Sequence, residues 1–242
     1  MRHIIYLAGL LLLISSAPQV LFAATPSVPV QATQIDAHYD VLKGNIKVAS
    51  VTETYTRTQS GYHIESVTKA IGLLAMFKPE VIHVTSEGTL TEKGLRPLTY
   101  IQKRKLDTER NTRADFDWKA KQITLTDRAG KRTLPLPAGT QDRLSAMYQF
   151  MFAPLQNSTE LKFKMTNGSK VDDYSYRIMP DQNITTPLGT FKTYYVANPP
   201  QDGENRTEIW LATQHGNFPY KMTVTEPDGA QLTQMLSKIN FK

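Results

Sequence analysis

Apolar and polar residues alternate along most of this chain with a period of two, the pattern of strands with one face buried and one face wet. The alternation runs through 35–41, 46–51 and 62–68, and a Thr- and Tyr-rich run at 52–58 suits the same pleated surface. Lys43-Gly44-Asn45 and Gln59-Ser60-Gly61 separate these runs as short turns, which predicts consecutive hairpins. Further strands are predicted at 80–86, 88–91, 98–105, 112–118 and 122–126, and again at 161–165, 171–179, 191–196, 207–211 and 218–225. Asn167-Gly168 is the clearest two-residue hairpin signal. The last segment, 230–241, has Leu232, Met235, Leu236 and Ile239 at helical spacing. The hairpin-like Pro227-Asp228-Gly229 before it favours a strand.

Two stretches break the rhythm. Residues 141–152 read as a helix: Leu144, Met147, Tyr148 and Met151 recur at i, i+3, i+4 and i+7, one apolar stripe that must press on a sheet. Pro135, Pro137 and Gly139 interrupt the chain before it, Thr140 is the expected cap, and Pro154 stops it. Residues 71–79 are nearly all apolar, contain Gly72 and end at Pro79, which predicts a single helical turn or a loop. About a dozen strands exceed what an open twisted sheet holds comfortably, so it should curl or close. The expected fold is therefore mainly β, an antiparallel meander forming a closed or half-open curved β-barrel with one packing helix near residues 141–152. A two-sheet sandwich is the alternative.

The first residues predict export. Met1-Arg2-His3 precedes an apolar run over 4–16, and Ala23-Ala24 offers a cleavage site. The run is shorter than the roughly 20 residues a spanning helix needs, so a cleaved signal peptide at 1–24 is expected, with no transmembrane segment after cleavage. A flexible leader follows at 25–33, then a single β-rich domain at 34–242. The chain has 0 cysteines, which argues against a lipid-anchored N-terminus and fits a Gram-negative periplasm. The Asn-x-Ser/Thr matches at Asn157, Asn167, Asn183 and Asn205 then read as turn chemistry. A formal charge of +6 suits anionic envelope surfaces, though many exported proteins are equally basic.

Arg110-x-x-Arg113-x-Asp115-Phe116-Asp117-Trp118, the stretch from Gln141 to Tyr148, Thr186-Pro187-Leu188-Gly189-Thr190-Phe191, and Ile209-Trp210-Leu211 with Phe218-Pro219 and Asp228-Gly229 occur in that order. This pattern resembles a family of exported bacterial proteins known as domain of unknown function 3108, over nearly the whole chain after the leader. The resemblance implies a β-rich periplasmic or envelope-associated protein. It supplies no catalytic residues to carry over.

Chemistry is sparse. His38, His63, His83 and His215 form neither H-x-H nor H-E-x-x-H and have no thiolate to join, so no metal and no cofactor are expected. There is no Gly-x-Ser-x-Gly elbow. Ser66-x-x-Lys69 lies on a predicted strand without the motifs that accompany it in serine enzymes, and Ser145 in the helix reads as packing. Asp115 and Asp117 share a strand face and could do acid–base work, but nearby cations would pair with them equally well.

The candidate sites are two. Leu73, Leu74, Met76 and Phe77 form an apolar patch that could cover an apolar ligand, with Met147, Tyr148 and Met151 as walls of the same cavity; ordinary core is the competing reading. Lys103, Lys105, Arg110 and Arg113 could hold an anionic headgroup. The function these suggest is a periplasmic, non-enzymatic binding protein for a lipid-like envelope ligand. Alternatives are an interaction protein with a filled barrel and a protein partner, and thirdly an enzyme acting on envelope glycans. Nucleic acid is not an expected partner.

Overall fold

The computed structural model describes residues 32–199 and 203–242. The expected signal peptide, and the leader except for its last two residues, lie outside the described residues. The chain forms β1 (Gln34–Lys43), β2 (Ile46–Arg57), β3 (Gly61–Ala70), α1 (Gly72–Phe77), β4 (Val81–Thr91), β5 (Gly94–Arg104), β6 (Thr112–Asp117), β7 (Gln122–Asp127) and β8 (Gly130–Pro135). Then come β9 (Gln141–Asp142), α2 (Ser145–Gln149), β10 (Glu160–Thr166), β11 (Val171–Thr186), β12 (Gly189–Ala197), β13 (Arg206–Ala212), β14 (Phe218–Thr225) and β15 (Gln231–Phe241).

The strands make one sheet of 15, in the order β8-β7-β6-β5-β4-β3-β2-β1-β15-β14-β13-β12-β11-β10-β9. Its topology is two meanders joined at the middle. β1 and β15 pair antiparallel with Ala37 opposite Ile239, so the chain begins at the centre and winds out to β8. It then crosses to the far edge and winds back. The crossing segment carries α2, and it enters the sheet through β9, which pairs parallel with β10 at Met165 and Thr166.

The sheet is not closed by a ladder, and its architecture is a half-open curved barrel. Polar groups tie the two edge regions together instead. Thr112 Oγ1 donates to the Asn167 carbonyl at 2.8 Å, Arg132 donates to the Ser169 carbonyl, and Gln141 Nε2 donates to the Leu95 carbonyl at 2.9 Å. Gly168 makes one of these approaches possible: its φ is +86°, and a Cβ there would sit 2.7 Å from Thr112 Cβ.

The packing helix is present but shorter than the apolar stripe predicts. Gln141 and Asp142 are a strand, α2 covers only Ser145–Gln149, and a 3₁₀ turn follows at Phe150–Phe152. Asp142 is the physical reason. Its Oδ1 accepts the N–H groups of Leu144 and Ser145 at 2.9 and 2.7 Å, the role expected of Thr140, whose hydroxyl instead donates to the Pro137 carbonyl. The 71–79 interruption is a single short helix, α1, and 231–241 is a strand.

Tyrosines fill much of the interior. Tyr55, Tyr100, Tyr148 and Tyr220 are fully enclosed, and Tyr148 stacks on Tyr55 with ring centroids 5.3 Å apart. Two carboxylates are buried among them. Glu53 accepts from Ser66 Oγ and from Tyr148 OH, each at 3.1 Å, and Asp142 accepts from Ser86 Oγ at 2.6 Å. Loss of hydration pushes the Glu53 carboxyl from 4.5 to about 7, although both hydroxyls pull the other way. The same cause raises Asp142 from 3.8 to about 6, against the pull of its N–H and hydroxyl donors.

A raised carboxyl pKa means that the folded protein holds a proton the unfolded chain releases. The Glu53 contribution is therefore complete below about pH 4.5 and is lost as the pH rises to about 7. The loss is on the order of 3 kcal/mol. Urea denaturation between pH 4 and 8 should show stability falling across this window. Glu53→Gln, which keeps a partner for both hydroxyls, should remove the part of that fall above about pH 6 and leave the part that Asp142 contributes below it. An equally steep profile in the variant would place the proton elsewhere.

Candidate functional site

The crossing segment meets the β4–β5 hairpin at one end of the sheet, and a groove opens there. Gly94, at φ +100°, lets the hairpin turn lie against the helix; a Cβ there would stand 2.5 Å from Gln149 Oε1 and 2.8 Å from Phe152 Cβ. The freed space is taken by the Gln149 amide, which accepts from the Leu95 N–H at 2.8 Å and donates to the Lys93 carbonyl at 2.7 Å. Below it Trp118 Nε1 donates to the Pro97 carbonyl at 2.6 Å, and the Arg96 guanidinium lies 4.9 Å from the Trp118 ring centre.

The resulting groove has a volume of about 810 Å³. Leu95, Trp118, Phe150, Phe152, Leu161 and Phe163 supply apolar walls, with Ala146 and Ala153 as small floor residues. Lys93, Arg96 and Lys162 also line it with a single carboxylate, Glu92, and Lys162 is ion-paired to Glu160 at 2.9 Å. Gln141 also lines it. This residue is 5 % exposed, and its Oε1 is buried without a hydrogen-bond partner. Glu80 Oε2, Tyr100 OH, Arg104 Nε and Arg206 Nε are likewise buried without a partner among the described residues, and of these five atoms only that of Gln141 belongs to a residue lining the groove. The volume lies within the range of small-molecule sites, and so does the balance of apolar wall to few polar groups.

The expected site residues divide between the two ends of the molecule. Tyr148 is enclosed in the core, Met151 is nearly so, and Met147 is half-buried between the two hydrophobic clusters. They form the back of the crossing segment, while the groove is lined by their neighbours Ala146, Gln149, Phe150 and Phe152. Leu73, Leu74, Met76 and Phe77 lie on α1, at the opposite end of β3 and β4, and no side chain of α1 is buried. The two sets do not share a cavity.

Lys103 and Lys105 are exposed at the α1 end of β5, and Arg110 stands 3.6 Å from Asp107 in the loop beyond. Arg113 is held by Asp115 through contacts of 2.6–3.0 Å, which occupies one of the two strand-face carboxylates. The other, Asp117, accepts the Ala120 N–H at 2.8 Å and shapes a turn. Among the described residues no cluster of three or more metal-ligating side chains occurs. None of the described helices is long and apolar enough to cross a membrane.

Sequence reasoning missed Leu95, Arg96, Gln149 and Phe163 as groove residues. Trp118, in the Asp-Phe-Asp-Trp stretch, and Gln141 and Ala146, in the stretch from Gln141 to Tyr148, are the groove residues that belong to the sequence pattern. Leu95 and Arg96 come from β5, Gln149 from α2 and Phe163 from β10, and nothing in their local pattern signals that the crossing segment brings them together.

Residues 34–237 match the model of the family described as protein of unknown function (DUF3108). No curated protein matches the chain. Among solved structures, a beta-barrel-like protein of domain of unknown function DUF1849 from Brucella abortus is similar at a TM-score of 0.57 and 15% identity, over 87% of this chain and 98% of that one. A structure described as a "putative lipoprotein" from Parabacteroides distasonis aligns at a TM-score of 0.37 and 10% identity, over 88% of this chain and 97% of that one. The first of these likenesses supports the barrel-like fold.

Gln149→Ala should leave the Leu95 N–H buried without an acceptor and cost about 1–3 kcal/mol. Chemical denaturation checks this directly. An unchanged midpoint would mean that the hairpin does not depend on the amide.

Proposed function

The chain belongs to the DUF3108 family, and on that footing we propose that it is a non-enzymatic envelope protein that binds an amphiphilic ligand in the groove beside α2. The groove itself carries the reading: about 810 Å³ of mostly aromatic and aliphatic wall, with Arg96, Lys93 and Lys162 in its lining and a free acceptor on Gln141 inside. Apolar walls supply affinity by removing hydrocarbon from water, at roughly 25 cal/mol per Å². The cations orient an anionic end. The Gln141 oxygen would accept a hydroxyl or amide N–H near the ligand's middle. The predicted export signal supports a periplasmic setting for this activity, and no step in it calls for a cofactor.

A second reading is favoured by a different observation. The space enclosed by the sheet is filled by Tyr55, Tyr100, Tyr148, Phe218 and Tyr220, while large apolar side chains stand exposed on α1. That combination fits an interaction protein whose partner meets its surface.

Titration with a dansyl-labelled fatty acid separates the two. Saturable binding at one site is expected, weakened at least tenfold by Ala153→Trp, which fills the groove from a half-buried position, and about fivefold by Arg96→Ala. Binding that is absent, or indifferent to both substitutions, would set the groove reading aside.

A further inference from the structure

The end of the sheet opposite the groove carries an apolar tip. On α1, Leu73, Met76 and Phe77 are 74 %, 78 % and 85 % exposed. Six residues are too few for a helix to persist by its own hydrogen bonds. The tip is held from outside: the Ile71 N–H donates to the Val48 carbonyl at 2.9 Å, and the Glu80 carboxylate accepts the N–H groups of Val81 and Leu106, each at 3.1 Å.

Those contacts also gather other exposed side chains beside it. Leu106 follows from the Glu80 bond. Ile46 opens β2 two residues before Val48, opposite Lys43, and Lys43 in turn pairs with Leu232. Ile46, Leu106 and Leu232 are all exposed. Isolated exposed apolar residues are ordinary on a protein surface, but a gathered set on a projecting turn marks an interaction site.

The charge around the tip has one sign to spare. Lys43, Lys69, Lys78, Lys103 and Lys105 are exposed at this end, and none has a carboxylate within ion-pair distance among the described residues. The acids around α1 are engaged, Glu80 with backbone N–H groups, Asp107 with Arg110, and Glu109 with Arg128 at 3.1 Å, while the exposed Glu226 and Asp228 lie farther along this end, in the turn before Leu232.

We infer that this end docks on the surface of an anionic phospholipid bilayer, with Phe77, Met76 and Leu73 entering the headgroup layer and the lysines meeting lipid phosphates. Apolar residues on a projecting turn, ringed by long cationic side chains that keep their heads in water, match the layered chemistry of that interface. A second copy of this chain would fit less well, because two rings of unpaired lysines would face each other. The groove lies at the other end and faces away from the bilayer, so the docking does not rest on what the groove holds.

The test is cosedimentation of the full chain with vesicles of phosphatidylglycerol and phosphatidylcholine, against phosphatidylcholine alone. Partitioning is expected only onto the anionic vesicles, falling as salt is raised. Phe77→Asp and Met76→Asp should each reduce it at least tenfold, and Lys78→Ala or Lys105→Ala about fivefold. All four side chains are exposed, so circular dichroism and melting should match the parent protein. Ala153→Trp, which blocks the groove, should partition like the parent; its loss of partitioning would overturn the separation of the two ends. Absent binding, equal binding to both vesicle types, or indifference to Phe77→Asp would overturn the inference. So would a concentration-dependent dimer that Phe77→Asp abolishes, since the occupant would then be a second copy.

Discussion

The antiparallel pairing of the first and last strands is the constraint from which the rest of this structure follows. β1 and β15 lie side by side at the centre of the sheet, and the Thr33 N–H reaches the Lys242 carbonyl at 2.7 Å. With both ends of the described domain fixed there, the chain has to wind outward to one edge and return from the other. One crossing segment must then travel between the edges. That segment carries α2, and the groove forms where it lands.

A crossing segment that enters the concave side of a sheet brings backbone polar groups into a dry interior, where each needs a partner. Asp142 answers the first of them by accepting the N–H groups of Leu144 and Ser145, and it is answered in turn by Ser86 on β4. Glu53 on β2 does the same for the Tyr148 hydroxyl and for Ser66. These carboxylates are specific because they are costly to bury. A shifted register would leave them without donors, which a purely apolar contact would tolerate. Their raised pKa values are the visible trace of that cost.

The molecule consequently has two ends of different chemistry. At the α2 end the apolar side chains of Phe150, Phe152 and Phe163 turn toward one another around a groove, with cations in its lining. At the α1 end they project outward, with lysines around them. Both ends pair apolar surface with positive charge. One surface is concave and suits an enclosed molecule; the other is convex and suits an extended surface.

The period-two alternation was enough to place most strands, because each strand has one face in the core and a wrong register would expose that face. The same logic identified the crossing segment and the one-turn interruption, since Pro and Gly mark where strand geometry must stop. The apolar residues of 71–79 illustrate the limit. Leu73, Met76 and Phe77 have the composition of core, and composition cannot say whether a neighbour arrives to cover them. Nor could the stripe of Leu144, Met147, Tyr148 and Met151 reveal that Asp142 would hold the helix start back to Ser145, because the buried carboxylate that does so is itself held by Ser86, far away in sequence. The groove was illegible for the same reason: Leu95 on β5, Trp118 in the turn after β6, Gln141 on β9 and Phe163 on β10 meet only through the crossing. By itself the sequence determined the strands, their wet and dry faces, and the breaks between them, all of which are local properties of the chain. Tertiary structure alone decided which end is filled and which is bare, because exposure depends on what the rest of the chain brings within reach.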